Sequence, residues 1–311
     1  MVKVAFIFPG QGSQAIGMGR ELYQQFPEAR AVFDAADDAL GEELSRLCFE
    51  GPEEKLRLTA YTQPAILAAS VAAHAVFAPR GPKPVLMAGH SLGEYSALVA
   101  AGTLPLGDAV RIVRARGTFM QEAVPEGTGA MAAVLKLEPA RVKAICDEVA
   151  EGQVVAPANY NSPEQTVIAG HAAAVERASA RLKEAGAKRV IPLAVSAPFH
   201  CALMEPVQPR LRALLEKVPL SAPSVPVVAN VDARPNADPQ RVMQLLVNQV
   251  SAPVRWIECV QALQAAGVTR VVELGPGRVL STLVRQISRE LETFNVEDAA
   301  SLQKTVAALA A

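Results

Sequence analysis

The stretch "PVLMAGHSLGEYSALVAAG", residues 84–102, decides the reading of this chain. An apolar run that reads as a buried strand ends at the Gly89 turn, and a helix-forming run begins at Gly93. Between them, Gly89-His90-Ser91-Leu92-Gly93 fits G-x-S-x-G, a sharp strand-to-helix turn that exposes a serine hydroxyl. Gly89 and Gly93 supply the small residues that such a turn needs. The helix that starts behind Ser91 adds free backbone N–H groups and the positive end of its dipole. Ser91 is therefore the candidate nucleophile.

The same rhythm recurs on either side of this stretch. "VKVAFIF" (residues 2–8) reads as a buried first strand closed by Pro9-Gly10. Helical patterns follow over 16–47 and 62–78. Buried strands alternating with helices predict an α/β fold with a parallel sheet core. From residue 127 the pattern changes. "GAMAAVLKL" reads as strand, "EPARVKAICDEVA" as helix, and "VVAPANYN" and "QTVIAG" as two strands around Ser162-Pro163. "HAAAVERASARLKEAGA" then reads as helix and "KRVIPLAV" as strand. The order β-α-β-β-α-β is that of a ferredoxin-like unit. Residues 127–196 are thus expected to form a small domain inserted into a large one made of 1–126 and 197–311. The chain returns with a helix over 238–249, a late strand in "VTRVVELGPG" and a terminal helix.

Composition excludes several classes. The 311 residues carry a net charge of −1, with half apolar and 20% charged. That balance makes no electrostatic case for nucleic acid or an anionic membrane. The four cysteines are far apart and form no C-x-x-C pair, which argues against a disulfide framework or a zinc site. No apolar run reaches the length of a membrane span. The expected compartment is the cytoplasm.

A serine hydroxyl needs a base. His74 lies in an apolar helix and reads as a core residue. His90 neighbours the nucleophile but is expected to point away from it. His171 opens a helix and reads as a cap or surface residue. His200, in "SAPFHCALM", falls on a loop where the chain re-enters the large domain, and boundaries of this kind gather active sites. His200 is therefore the expected base, in a Ser91–His200 dyad. No acid that follows it stands out; Asp232 and Glu273 are candidates for a third member, and neither has a supporting context. A backbone carbonyl could hold the ring instead.

One arginine sits where it should not. In "DAVRIVRARGTFMQEAV" (108–124), Ala109, Ile112, Val113, Phe119, Met120 and Ala123 share a helix face. Arg116 falls within that face, whereas Arg111 and Arg114 lie opposite. A buried guanidinium is costly unless it is paired. A structural ion pair or a kink at Gly117 would account for it. So would a waiting anionic ligand, since the guanidinium fork suits a carboxylate.

Together "FPGQGSQ" (8–14), "GHSLGEYSAL" (89–98), "RGTFMQEAVPEGTGAMAAV" (116–134), "PFH" (198–200) and "LGPG" (274–277) resemble the malonyl-CoA:acyl carrier protein transacylases of bacterial type II fatty acid synthesis. The resemblance spans nearly the whole chain. It implies an α/β-hydrolase-like large domain with an inserted ferredoxin-like small domain. It also implies transfer of malonyl from malonyl-CoA to acyl carrier protein through a serine ester on Ser91, with His200 moving the proton. The backbone N–H groups of Gln11 and Leu92 would form the oxyanion hole, and Arg116 would hold the malonyl carboxylate. Gln249 would orient the histidine through its carbonyl, and Gln63 would line the site. Phe199 would favour malonyl over branched groups because its ring leaves little room. No metal or cofactor is implied; coenzyme A and phosphopantetheine are substrate groups. The same motifs fit an acyltransferase of polyketide assembly. A serine hydrolase or a carrier-binding scaffold are the readings from other classes. Lys188 and Arg189 are candidates for a basic rim that meets an acidic carrier protein.

Overall fold

The apolar run at the start forms β1 (Val4–Phe8), buried along its whole length in a computed structural model that describes residues 2–195 and 197–310. Helices α1 (Arg20–Gln25), α2 (Pro27–Leu40), α3 (Leu44–Glu50) and α4 (Glu53–Leu56) follow. They replace the continuous helical pattern expected over 16–47. Pro27 takes the first position of α2 and holds Phe26 extended, and Gly41 ends α2 in the left-handed conformation. The long α5 (Thr59–Phe77) is buried on nearly every side, as its all-round apolar sequence requires. Next come β2 (Leu86–Gly89), α6 (Leu92–Ala100) and α7 (Leu106–Glu122).

The middle of the chain runs β3 (Gly129–Leu135), α8 (Pro139–Glu148), β4 (Val155–Ser162), β5 (Gln165–His171), α9 (Ala172–Glu184) and β6 (Arg189–Pro192). The last part comprises α10 (Val207–Leu215), β7 (Val227–Val228), β8 (Pro235–Asn236), α11 (Pro239–Gln249), α12 (Trp256–Ala265), β9 (Arg270–Leu274), α13 (Val279–Ile287), β10 (Glu292–Val296) and α14 (Ala299–Ala310). Strand β10 carries the polar sequence "ETFNV" and sits at a sheet edge, so no buried apolar run announces it.

Two sheets result. The larger has the order β10-β9-β1-β2-β7-β8 and is parallel except for β8. The smaller has the order β4-β5-β3-β6 and is antiparallel. In the larger sheet Phe8 lies opposite Gly89, so β1 and β2 end side by side. The loop Pro9–Gln11 and the turn at Ser91 therefore emerge together beyond the carboxyl ends of the strands. This is where ligands bind in open α/β sheets. The close approach requires glycine. A Cβ on Gly93 would lie 2.0 Å from Phe8 O, and one on Gly117 would lie 2.6 Å from Thr59 O, where α7 crosses α5. Edge strand β4 is tied to the larger unit by bonds from Val254 N to Ala158 O (2.8 Å) and from Tyr160 N to Val254 O (2.9 Å). These bonds bring Asn159 and Asn161 over the strand ends. No helix among the described residues is long and apolar enough to cross a membrane. All four cysteines are free and buried.

Candidate active site

Ser91 stands at the turn between β2 and α6 with φ 51° and ψ −107°. A side chain rarely adopts this conformation, which costs on the order of 1–3 kcal/mol and persists only where the surroundings enforce it. The enforcement is visible. Ser91 N donates to Asn230 Oδ1 at 2.7 Å, and Asn230 Nδ2 donates to Gly89 O at 2.7 Å. Asn230 follows β7, so the neighbouring strand clamps both sides of the turn.

Ser91 Oγ lies 2.7 Å from His200 Nε2. On the far side of the ring, His200 Nδ1 lies 2.8 Å from Gln249 O and 3.2 Å from Ala252 O. Carbonyl oxygens only accept, so Nδ1 carries the proton and Nε2 presents its lone pair to the serine hydroxyl. Gln249 is the last residue of α11, and its carbonyl is one of those a helix end leaves unpaired. Asp232 and Glu273 do other work: Asp232 bonds Arg241, and Glu273 caps α13 by accepting from Leu280 N and Ser281 N. Burial, and then the positive charge of Arg116, push the His200 pKa down to about 3. The ring is neutral, the form a base requires.

Arg116 is buried in the middle of α7, which runs unbroken through Gly117. Its Nη1 donates to Gln63 Oε1 at 2.7 Å, and its Nη2 donates to Gln249 Oε1 at 2.9 Å and to Ser91 Oγ at 3.3 Å. All three acceptors are neutral. The other two arginines of this helix behave as its polar face predicts: Arg114 pairs with Glu42 and Arg111 with Asp108.

A cavity of about 120 Å³ joins these groups; Gln11, Leu92, Met120, Met131 and Phe199 line it along with Ser91, Arg116 and His200. Among the described residues, neither the Gln11 nor the Leu92 amide donates a hydrogen bond within the protein. Gln11 side-chain Nε2 donates to Thr59 Oγ1 at 3.2 Å. Phe199 is buried against the apolar side of the cavity. A wider cleft of about 610 Å³ continues past Gln11, His90, Asn159 and Asn161 toward α13.

His90 also lines the cavity, although its ring turns from Ser91 and Nε2 bonds Asn161 Oδ1 at 2.8 Å. His74 packs edge-on against Phe6, and burial lowers its pKa to about 4. His171 stands at the N-cap position of α9 without capping it; its Nδ1 accepts instead from Val154 N at 2.9 Å. Lys188 and Arg189 are exposed at the start of β6. Ser196, in the stretch leading to His200 and at the expected domain boundary, lies outside the described residues.

Two residues of this constellation escaped the reading of the sequence. Asn230 had no local signal. Glu94 had one: it is the only charged residue of α6, a helix buried from Leu92 to Leu98.

The profile of the acyl transferase domain family matches residues 5–308. The malonyl CoA-acyl carrier protein transacylase of Salmonella typhimurium is 51% identical over 303 residues, 97% of this chain and 98% of the relative. That of Bacillus subtilis is 49% identical over 310 residues, 99% of this chain and 98% of the relative. The acyl carrier protein S-malonyltransferase of Vibrio cholerae superposes with a TM-score of 0.95 at 48% identity, covering 97% of this chain and 99% of the other. A malonyl-transacylase solved in complex with a type II polyketide synthase acyl carrier protein gives 0.96 at 48% identity, covering 98% and 99%. With nearly its whole length matched in this way, the chain belongs to the acyl transferase domain family, among the malonyl CoA-acyl carrier protein transacylases.

Proposed function

We propose that the chain transfers a malonyl group from malonyl-CoA to the phosphopantetheine thiol of an acyl carrier protein, through a malonyl ester on Ser91. One observation carries this reading. Arg116 is buried 3.3 Å from the Ser91 hydroxyl and bonds neutral oxygens throughout. A desolvated guanidinium in that state favours a carboxylate beside the acyl group that Ser91 receives.

The chemistry follows from the geometry. His200 Nε2 takes the Ser91 hydroxyl proton as Oγ bonds the thioester carbon. The carbonyl oxygen gains negative charge and accepts from the Gln11 and Leu92 amides. The C–S bond then breaks, and the imidazolium returns its proton to the departing coenzyme A sulfur. The carrier's thiol reverses these steps: its proton passes to Nε2, its sulfur bonds the malonyl carbon, and Ser91 Oγ leaves with the proton. Gln249 O, Ala252 O and the C-terminal end of α11 favour the imidazolium. A malonyl carboxylate on Arg116 also offsets the charge that holds His200 down, so the correct substrate makes the base stronger. Phe199 and Met131 crowd the space beside the α-carbon and favour malonyl over a branched group. The narrow cavity limits the access of water to the ester.

The strand order β4-β5-β3-β6 supports a ferredoxin-like small domain over 127–196, and the parallel sheet supports an α/β-hydrolase-like large domain over 1–126 and 197–311. The expected setting is the cytoplasm. The test is transfer of labelled malonyl from malonyl-CoA to carrier protein bearing phosphopantetheine. Label on the carrier is expected, with none for Ser91→Ala and none on carrier lacking the prosthetic group. Undiminished transfer by Ser91→Ala, or release of free malonate in place of transfer, would defeat the proposal.

A further inference from the structure

Glu94 is buried in the first turn of α6, and its Oε2 accepts from two donors, Gln249 Nε2 at 2.7 Å and Asn230 N at 2.9 Å. Each donor leads back to the site. The Asn230 side chain clamps Ser91 N and Gly89 O. The Gln249 side chain presents Oε1 to Arg116 Nη2, and its main-chain carbonyl holds His200. A primary amide has two orientations. Turned over, Gln249 would aim its NH₂ group at the guanidinium, donor against donor. An ionised carboxylate only accepts, as does the Ser91 carbonyl that Gln249 Nε2 also reaches at 3.1 Å, so Glu94, with the shorter bond of 2.7 Å, and the turn together permit one orientation.

We propose that Glu94 is a positioning residue: it fixes the Gln249 amide toward Arg116, joins that clamp to the turn bearing Ser91, and balances the guanidinium from one side chain away. A carboxylate in direct contact with Arg116 would compete with substrate. Placed behind Gln249, Glu94 supports the buried cation and leaves its substrate-facing side open. This inference rests on the reading of Arg116 as the partner of the malonyl carboxylate.

The charge of Glu94 has a measurable consequence. Burial pushes its pKa up to about 7, against hydrogen bonds from Asn230 and Gln249 that lower it. The titratable groups around it are Arg116 from α7, which lowers the pKa, Asp232 from the loop after β7, which raises it, the adjacent Tyr95, and Cys259 from α12. As pH rises through this range Glu94 ionises and repels a carboxylate arriving at Arg116. The KM for malonyl-CoA should therefore rise with pH, while that for acetyl-CoA should stay level.

The experiment compares Glu94→Gln, Glu94→Ala and Arg116→Ala, measuring kcat and KM for malonyl-CoA and acetyl-CoA from roughly pH 6 to 8, a window that brackets the Glu94 titration. Arg116→Ala is expected to lose the malonyl preference. Glu94→Ala should lower the malonyl-to-acetyl ratio of kcat/KM at least ~10-fold, the scale of a lost hydrogen bond to a charged group. Glu94→Gln can still accept both hydrogen bonds and should keep the ratio within about threefold, with a malonyl-CoA KM that no longer rises with pH. A folded Glu94→Ala with the wild-type ratio would overturn the inference. If Glu94→Ala does not fold, a wild-type KM rise in Glu94→Gln would do the same. Retention of the preference by Arg116→Ala would overturn the carboxylate reading and this inference with it. Loss in Arg116→Ala beside retention in Glu94→Ala would overturn the inference alone.

Discussion

Replacing Arg116 by alanine should remove malonyl transfer selectively. The guanidinium Nη2 is 3.3 Å from Ser91 Oγ, so a carboxylate on the acyl group can sit within about 4 Å of the charge. At an effective dielectric near 20, that pair is worth about 4 kcal/mol. Lost from the transition state, it corresponds to a fall of about 10³-fold in kcat/KM for malonyl-CoA. Acetyl-CoA has no carboxylate and escapes this loss. The variant also removes the cation that depresses His200, so the acid limb of its acetyl transfer should move to higher pH while burial still holds it below the usual histidine range. Gln63 and Gln249 lose a donor, which costs stability of about 1–3 kcal/mol, so the melting temperature is measured alongside. The assay is initial-rate transfer from each thioester to carrier protein. Equal losses for malonyl and acetyl in a folded variant would rule out Arg116 as the partner of the malonyl carboxylate.

Three further perturbations probe the packing of the turn, the buried His74 and the carrier-docking surface. Gly93→Ala places a Cβ 2.0 Å from Phe8 O, a backbone atom that cannot yield. It should destabilise the protein by at least ~2 kcal/mol in denaturant unfolding and abolish transfer; a loss under about 0.5 kcal/mol would contradict the packing argument. His74→Leu should flatten the acid side of the stability curve. The His74 pKa falls from 6.5 unfolded to about 4 folded, so its stabilising share is present above pH 6.5 and is lost as pH falls toward 4. The variant should lose up to ~3 kcal/mol less than wild type over that window, and parallel curves would count against a buried neutral His74. Reversing the charge of the exposed Lys188 and Arg189 should raise KM for carrier protein and leave that for malonyl-CoA unchanged; an unaltered carrier KM would remove them from the docking surface.

The sequence was most informative where physics is local. A strand, a glycine turn and a helix within twenty residues mark Ser91, and helical spacing alone marks Arg116 as a charge on an apolar face. The helix breaks at Pro27 and Gly41 were equally local, but apolar periodicity across 16–47 masks them. Strand β10 is hard to see because an edge strand need not be apolar, and β7 has only two residues. The rest of the site is long-range. Asn230 meets Ser91 across 139 positions and Gln249 meets Arg116 across 133, so pairwise spacing carries no trace of either contact. Glu94 is the intermediate case: its solitary charge in a buried helix is visible, but its partners come from the segment after β7 and from α11.

Acyl-enzyme formation is the direct test of the Ser91 ester. The protein is mixed with malonyl-CoA in the absence of carrier, quenched in acid and digested, and the malonyl group is located by peptide mass spectrometry. One malonyl group is expected, on the peptide containing Ser91. It should be absent from Ser91→Ala and released when carrier protein bearing phosphopantetheine is added before the quench. A malonyl group on another residue, or an intact protein that transfers malonyl with no mass added at Ser91, would contradict the Ser91 ester.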